Sequence, residues 1–215
     1  MKIGASILDV DYLELKDIVF IIEESETDSI HLDVMDGNFV PSISFGSKMI
    51  KAIKNHTDLF LDCHLMVCNP INIIDELIEI GVNQITIHIE SDGDIFKMLK
   101  KIQKNDIKVG IAINPNTDID LIKPFLNIVD TVLQMTVFPG KGGQSFIEKT
   151  MMRTKYLSKY KAHFNLNYTI QVDGGINNES ILLCKENGVD SVVVGSYLFK
   201  SNILNNQIKL LKNDK

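Results

Sequence analysis

Two kinds of apolar spacing alternate along the chain from end to end. Short runs with apolar residues at every second position, or filling the run, predict strands; apolar residues three and four apart predict helices. The strands fall over 4–8, 30–35, 59–66, 84–89, 108–113, 129–135, 168–173 and 190–195. Helices are predicted between them over 12–24, 47–55, 69–80, 93–104, 119–126, 146–161 and 177–187, and a last one over 198–211. Asn69-Pro70 opens one helix, Gly81 and Gly188 stop two others, and Asn114-Pro115 ends a strand. Eight strand–helix units in 215 residues fit one α/β domain over 1–215, a (β/α)8 TIM barrel. An open doubly wound sheet is the alternative. No linker, low-complexity tract or short repeat divides the chain.

The alternation also says which side chains share a face. His31 and Asp33 lie two apart and point the same way, just before Asp36-Gly37-Asn38 breaks the strand. In the third strand Phe60, Asp62, His64 and Met66 share one face, and Leu59, Leu61, Cys63 and Leu65 the other. The seventh strand ends at Asp173. Barrels of this kind collect their catalytic groups at the C-terminal ends of strands. His31, Asp33, His64 and Asp173 there make a mixed nitrogen and oxygen set, suited to one divalent transition metal ion such as zinc, iron, manganese or cobalt. The set is too nitrogen-rich for calcium or magnesium. His88, also near a strand end, reads as a structural hydrogen-bonding group, because the four-ligand set is complete without it.

Glycine makes the second constellation. Pro139-Gly140-Lys141-Gly142-Gly143-Gln144 follows strand six, Gly174-Gly175 follows strand seven, and Gly195-Ser196 follows strand eight and begins the last helix. Missing side chains let backbone N–H groups approach an anion, and a helix N-terminus adds a favourable dipole. Such barrels hold phosphate after strands seven and eight, so these loops predict a phosphate site. Met35, Met66 and Met135 end strands two, three and six on the inner face, where they can form an apolar lid that keeps water from a reactive intermediate.

Composition narrows the class. The formal charge is −6 with no basic cluster, which argues against nucleic acid as a partner. No apolar run approaches a membrane span, and the first residues lack the apolar core of a signal peptide. Three cysteines make no disulfide framework, so a reducing, cytoplasmic setting is expected.

Several of these stretches together resemble the ribulose-phosphate 3-epimerase family. They are Ser6-Ile7-Leu8, the run from His31 to Pro41, Asp62-Cys63-His64-Leu65-Met66-Val67, Gly142-Gly143-Gln144, Val172-Asp173-Gly174-Gly175-Ile176 and Gly195-Ser196. The resemblance covers nearly the whole chain. Two positions depart from it: Lys141 stands where the family usually has Phe, and Ser42 where it usually has Asn. Lys141 can alter loop closure or touch the phosphate. The resemblance implies a metal-dependent epimerase that interconverts D-ribulose 5-phosphate and D-xylulose 5-phosphate at C3 in the pentose phosphate pathway. It implies Asp33 and Asp173 as the acid/base pair, both also metal ligands with His31 and His64. It implies substrate contacts from Ser6, His64, Met35, Met66, Met135, Gly140, Lys141, Gly142, Gly143, Asp173, Gly174, Gly175, Gly195 and Ser196. The expected partners are a phosphosugar and further copies of the chain, with no nucleic acid and no membrane. Three rivals stand beside this reading: an epimerase of a six-carbon ketose phosphate such as allulose 6-phosphate, a lyase or decarboxylase, and a non-catalytic phosphosugar binder. The second would enlist a Lys near the reacting carbon, and none of the inward strand-end residues named above is Lys.

Overall fold

The structure is a computed structural model, and it describes residues 1–200 and 204–212. Eight parallel strands close into a barrel: β1 Lys2–Ser6, β2 Ser29–Met35, β3 Phe60–Met66, β4 Gln84–His88, β5 Lys108–Ile113, β6 Thr131–Met135, β7 Thr169–Asp173 and β8 Ser191–Val194. β1 pairs with β8, from Lys2 opposite Ser191 to Ala5 opposite Val194, so no sheet edge is left open. The (β/α)8 expectation holds and the open sheet does not. Outside the barrel lie α1 Leu15–Glu23, α2 Ser47–Lys54, α3 Ile71–Ile80, α4 Ile95–Gln103, α5 Met151–His163, α6 Ser180–Glu186 and α7 Leu204–Lys212.

The period-two pattern splits the strand residues as expected. Ile30, Leu32, Leu61, Cys63, Leu65, Ile85 and Ile87 point outward and pack under the helices, fully buried. Each aliphatic side chain among them contributes roughly 1.5–3 kcal/mol by leaving water. The inward positions are strongly polar. Asp62, Gln84, Thr131 and Gln171 fill the lower barrel, where Thr131 donates to Gln84 Oε1 at 2.9 Å. Register then decides which inward side chains meet. His31 stands opposite Asp62, Asp33 opposite His64, Met35 opposite Met66, and Met135 opposite Asp173.

The helices depart from expectation in particular places. Residues 119–126 form no α-helix but two short 3-10 helices, Ile119–Leu121 and Lys123–Phe125. Pro124 offers no N–H and disfavours helical backbone at Lys123. The first begins at Asp118, whose side chain caps it by accepting from Asp120 N. The helix expected from Phe146 starts at Met151, because Ile147 N is bonded to Thr136 O across the barrel mouth at 2.8 Å. The last helix expected over 198–211 is not one helix at its start: Leu198–Lys200 is a 3-10 turn, and α7 begins at Leu204. Its stretch 201–203 lies outside the described residues.

Candidate active site

The C-terminal end of the barrel holds a cleft with about 590 Å³ of empty space, open solvent included. Ser6, Asp33, Met35, Met66, Met135, Asp173 and the three glycine loops line it. His31 and His64 lie just beneath, fully buried. One ligand-type atom from each of His31, Asp33, His64 and Asp173 comes within 4.8 Å of the others. The structure therefore brings together the four residues singled out as ligands.

Hydrogen bonds fix how each side chain faces that centre. His31 Nδ1 lies 2.9 Å from Asp62 Oδ2, so the ring gives its N–H to this carboxylate. His31 Nε2 then faces Asp33 Oδ1 at 3.4 Å and Asp173 Oδ2 at 3.9 Å. It is buried and has no hydrogen-bond partner among the described residues. His64 turns Nδ1 to the same oxygens, at 3.2 Å and 3.8 Å. An orphaned buried imidazole nitrogen beside two carboxylates is what a metal cation would satisfy, and the mixed donor set suits a transition metal. The residues thus fit a bound ion. Ser6 Oγ donates to the other oxygen of Asp33 at 2.7 Å.

The two carboxylates are driven apart. Burial opposes ionisation of Asp33, but His31 and His64 outweigh it and hold the carboxyl far below the usual range. Burial and then the charge of Asp33 push Asp173 up to about 7. Burial also works against charge on His31, yet Asp33 and Asp62 carry its pKa well above the ordinary imidazole value.

Around the mouth, glycine is required by geometry at Gly174 and Gly175. Both adopt positive φ, 114° and 68°; a Cβ would meet Val137 at the first and the backbone N of Phe146, 2.5 Å away, at the second. Gln144 Nε2 pins the strand-six loop by donating to Phe138 O and Lys141 O at 2.6 and 2.8 Å. Ser42 donates to Gly140 O at 2.6 Å, tying the loop after β2 to the loop after β6. Asp36 accepts from Asn38 N, Phe39 N and Cys68 N, which joins the ends of β2 and β3. Gly195 and Ser196 line the cleft, but they lead into the short 3-10 turn rather than a long helix. Any anion there would meet backbone N–H groups without a long helix dipole behind them.

Met35, Met66 and Met135 are almost wholly buried and line the cleft. Cys63 and Cys184 are buried, and burial pushes the Cys184 thiol up to about 12. Sequence reasoning left four residues near the centre without a functional role. Asp62 shares a strand face with His64, but its bond to His31 depends on register between strands. His88 does make hydrogen bonds as expected, but its partner is His64, at 2.8 Å between the Nε2 atoms. Glu90, two residues further on, accepts from His88 Nδ1 at 2.9 Å, and burial holds His88 down to about 4. Asp9 lines the cleft beside Gly142, whose absent side chain makes room for it.

This arrangement belongs to the (β/α)8 barrel enzymes. Solved structures of the same fold include 3-hexulose-6-phosphate synthase from Salmonella typhimurium, at TM-score 0.71 and 17% identity over 99% of this chain and 97% of that one. A mutant tryptophan synthase alpha-subunit from Pyrococcus furiosus matches at TM-score 0.71 and 17% identity, over 98% and 96%. At the level of sequence the likeness is narrower. The family model for the ribulose-phosphate 3-epimerase family matches residues 2–199. Ribulose-phosphate 3-epimerase of Chlamydia pneumoniae is 37% identical over 97% of this chain and 92% of its own length. The Bacillus subtilis protein of that name is 34% identical over 93% and 92%, and the chloroplastic Arabidopsis thaliana protein 35% over 99% and 76%. The chain belongs to the ribulose-phosphate 3-epimerase family, whose members are isomerases.

Proposed function

We propose that this chain interconverts D-ribulose 5-phosphate and D-xylulose 5-phosphate by inverting C3, as a cytoplasmic enzyme of the pentose phosphate pathway. One observation carries the mechanism: Asp33 and Asp173 reach the same centre from β2 and β7. Two carboxylates that approach one centre from different strands can divide into base and acid. Inversion needs exactly that division of labour, since a proton leaves one face of C3 and another arrives on the opposite face. Asp33 takes the proton in one direction, Asp173 returns one, and the roles exchange in reverse. Ser6 Oγ, already donating to Asp33, can accept from a substrate hydroxyl. Met35, Met66 and Met135 cover the enediolate and exclude water.

His31, Asp33, His64 and Asp173 would hold one divalent transition metal ion, zinc, iron, manganese or cobalt. When bound, such an ion polarises the C2 oxygen and offsets the charge that develops on it. The backbone N–H groups of Gly140, Gly142, Gly143, Gly174, Gly175, Gly195 and Ser196 bind the phosphate, with Lys141 at the rim, so that remote binding positions C3. Exposed Leu13, Phe20 and Ile43 offer apolar surface that further copies of the chain can cover in a homo-oligomer.

The test is a coupled assay of the purified protein on D-ribulose 5-phosphate, allulose 6-phosphate and free D-ribulose, with metal content measured on the same sample. The five-carbon phosphate should be turned over far more efficiently than either alternative. Preference for allulose 6-phosphate would reassign the substrate. Equal turnover of free D-ribulose would remove the phosphate role of the glycine loops.

A further inference from the structure

We propose that Glu90 and His88 act as a positioning relay that holds His64 with its Nδ1 lone pair toward the metal centre. The inference rests on the proposed metal site and adds two residues outside it. His64 presents Nδ1 to Asp33 and Asp173, so Nδ1 must be free of a proton to serve as a ligand. Its other nitrogen stands 2.8 Å from His88 Nε2. Two ring nitrogens this close share one proton, because two lone pairs repel and two N–H groups clash.

Glu90 decides which ring supplies that proton. Its Oε2 lies 2.9 Å from His88 Nδ1, and a carboxylate there accepts, so Nδ1 carries the hydrogen. His88 is fully buried, and with its Nδ1 hydrogen given to Glu90 its Nε2 is left as the acceptor toward His64. His64 therefore donates from Nε2, so that its Nδ1, within hydrogen-bond distance of Asp33 Oδ1 at 3.2 Å, is the nitrogen that turns a lone pair to a bound ion. Reversing any one link would turn an N–H of His64 into the site. Glu90 is fixed in turn: its other oxygen accepts from Asn114 N at 2.9 Å, after β5. His88 lies end to end with His64, the two rings within 27° of one plane and their centroids 5.0 Å apart, and it packs against Phe39 at 4.8 Å.

The same logic appears once more in the barrel, in shorter form. Asp62 takes the Nδ1 proton of His31 and leaves Nε2 toward the centre. Each imidazole of the site is thus backed by a carboxylate, directly for His31 and through His88 for His64. Partners of this kind orient metal ligands and set their tautomer, and their loss typically weakens metal binding by roughly 10–100-fold.

The test measures Zn²⁺ affinity by chelator competition on the metal-free full chain, for wild type, Glu90→Gln, Glu90→Asp and His88→Phe. Alongside it, long-range proton–nitrogen NMR of the Zn²⁺-loaded, ¹⁵N-histidine protein reads the His64 tautomer. In Glu90→Gln, an amide N–H₂ facing His88 forces its Nδ1 to accept, which reverses the chain and puts a proton on His64 Nδ1. We expect affinity to fall by about 10–100-fold in Glu90→Gln and His88→Phe, with partial recovery in Glu90→Asp. The wild type should show His64 protonated at Nε2. Affinities within twofold of wild type in Glu90→Gln, or a wild-type His64 protonated at Nδ1, would overturn the relay while leaving the metal site intact. Wild type that binds no Zn²⁺ overturns both. Should His88→Phe fail to fold, Glu90→Gln at the half-buried end of the relay decides the matter.

Discussion

Removing Asp62 tests the polar barrel interior more sharply than any change at the mouth. The carboxylate is almost wholly buried. It accepts from His31 Nδ1 at 2.9 Å, Gln171 Nε2 at 3.0 Å and Gln84 Nε2 at 2.8 Å. Asp62→Ala leaves those three donors without their acceptor. Breaking a buried charged network by removing one partner costs about 3–5 kcal/mol. Water admitted from the polar cavity at the barrel floor, which Asp62, Gln84 and Gln171 line, offsets part of that. The expected loss is about 3 kcal/mol for Asp62→Ala. Asp62→Asn keeps the shape but turns one amide N–H₂ toward a donor, so about 1–2 kcal/mol is expected. Urea unfolding of the metal-free proteins measures both without linkage to bound ion. Burial opposes ionisation of Asp62, and His31, Gln171 and Gln84 hold its carboxyl below the usual range. Its contribution is therefore present above the unfolded carboxyl pKa, near 4, and is lost as pH falls through the lower folded value. The gap between wild type and Asp62→Asn should accordingly close in acid. A loss under about 0.5 kcal/mol for Asp62→Ala would refute the reasoning, because surface-like changes cost no more than that.

Three further outcomes are expected. Gly175→Ala should lose phosphosugar binding together with stability, since its Cβ would meet the backbone of Phe146 at a positive φ; a KM and urea midpoint unchanged from wild type would count against the cradle. Asp33→Asn and Asp173→Asn should each cut turnover by about 10²–10⁴-fold or more, and the reading applies to whichever variant retains its metal. A metal-retaining variant with a near-normal rate would take that carboxylate out of proton transfer. Stripping the protein with a strong chelator should abolish activity and Zn²⁺, Fe²⁺, Mn²⁺ or Co²⁺ should restore it; full activity in a sample shown to be metal-free would end the metal reading.

What the sequence made legible follows from how local each feature is. Strand positions and the inward face were readable because a two-residue period is local, and His31, Asp33 and His64 fall on it. Asp173 was readable as a strand end before Gly174-Gly175. The helix over 119–126 was misread because Pro124 weighs against an otherwise helical spacing. The starts of α5 and α7 were misread because bonds such as Ile147 N to Thr136 O belong to the closed barrel. Asp62 and Glu90 stayed unassigned, and His88 was read only as a structural hydrogen-bonding group, for a related reason. Their meaning lies in β2–β3 register and in contacts between β3, β4 and the loop after β5. The spacing of His88 and Glu90, two apart like His31 and Asp33, was the available hint.

The central claim, that Asp33 and Asp173 serve opposite faces of C3, is tested most directly by turnover of D-ribulose 5-phosphate in heavy water. Product and recovered substrate are then analysed by NMR. Deuterium is expected at C3 of D-xylulose 5-phosphate and essentially none at C1. Inversion of C3 without solvent deuterium there, or label at C1 instead, would contradict the claim.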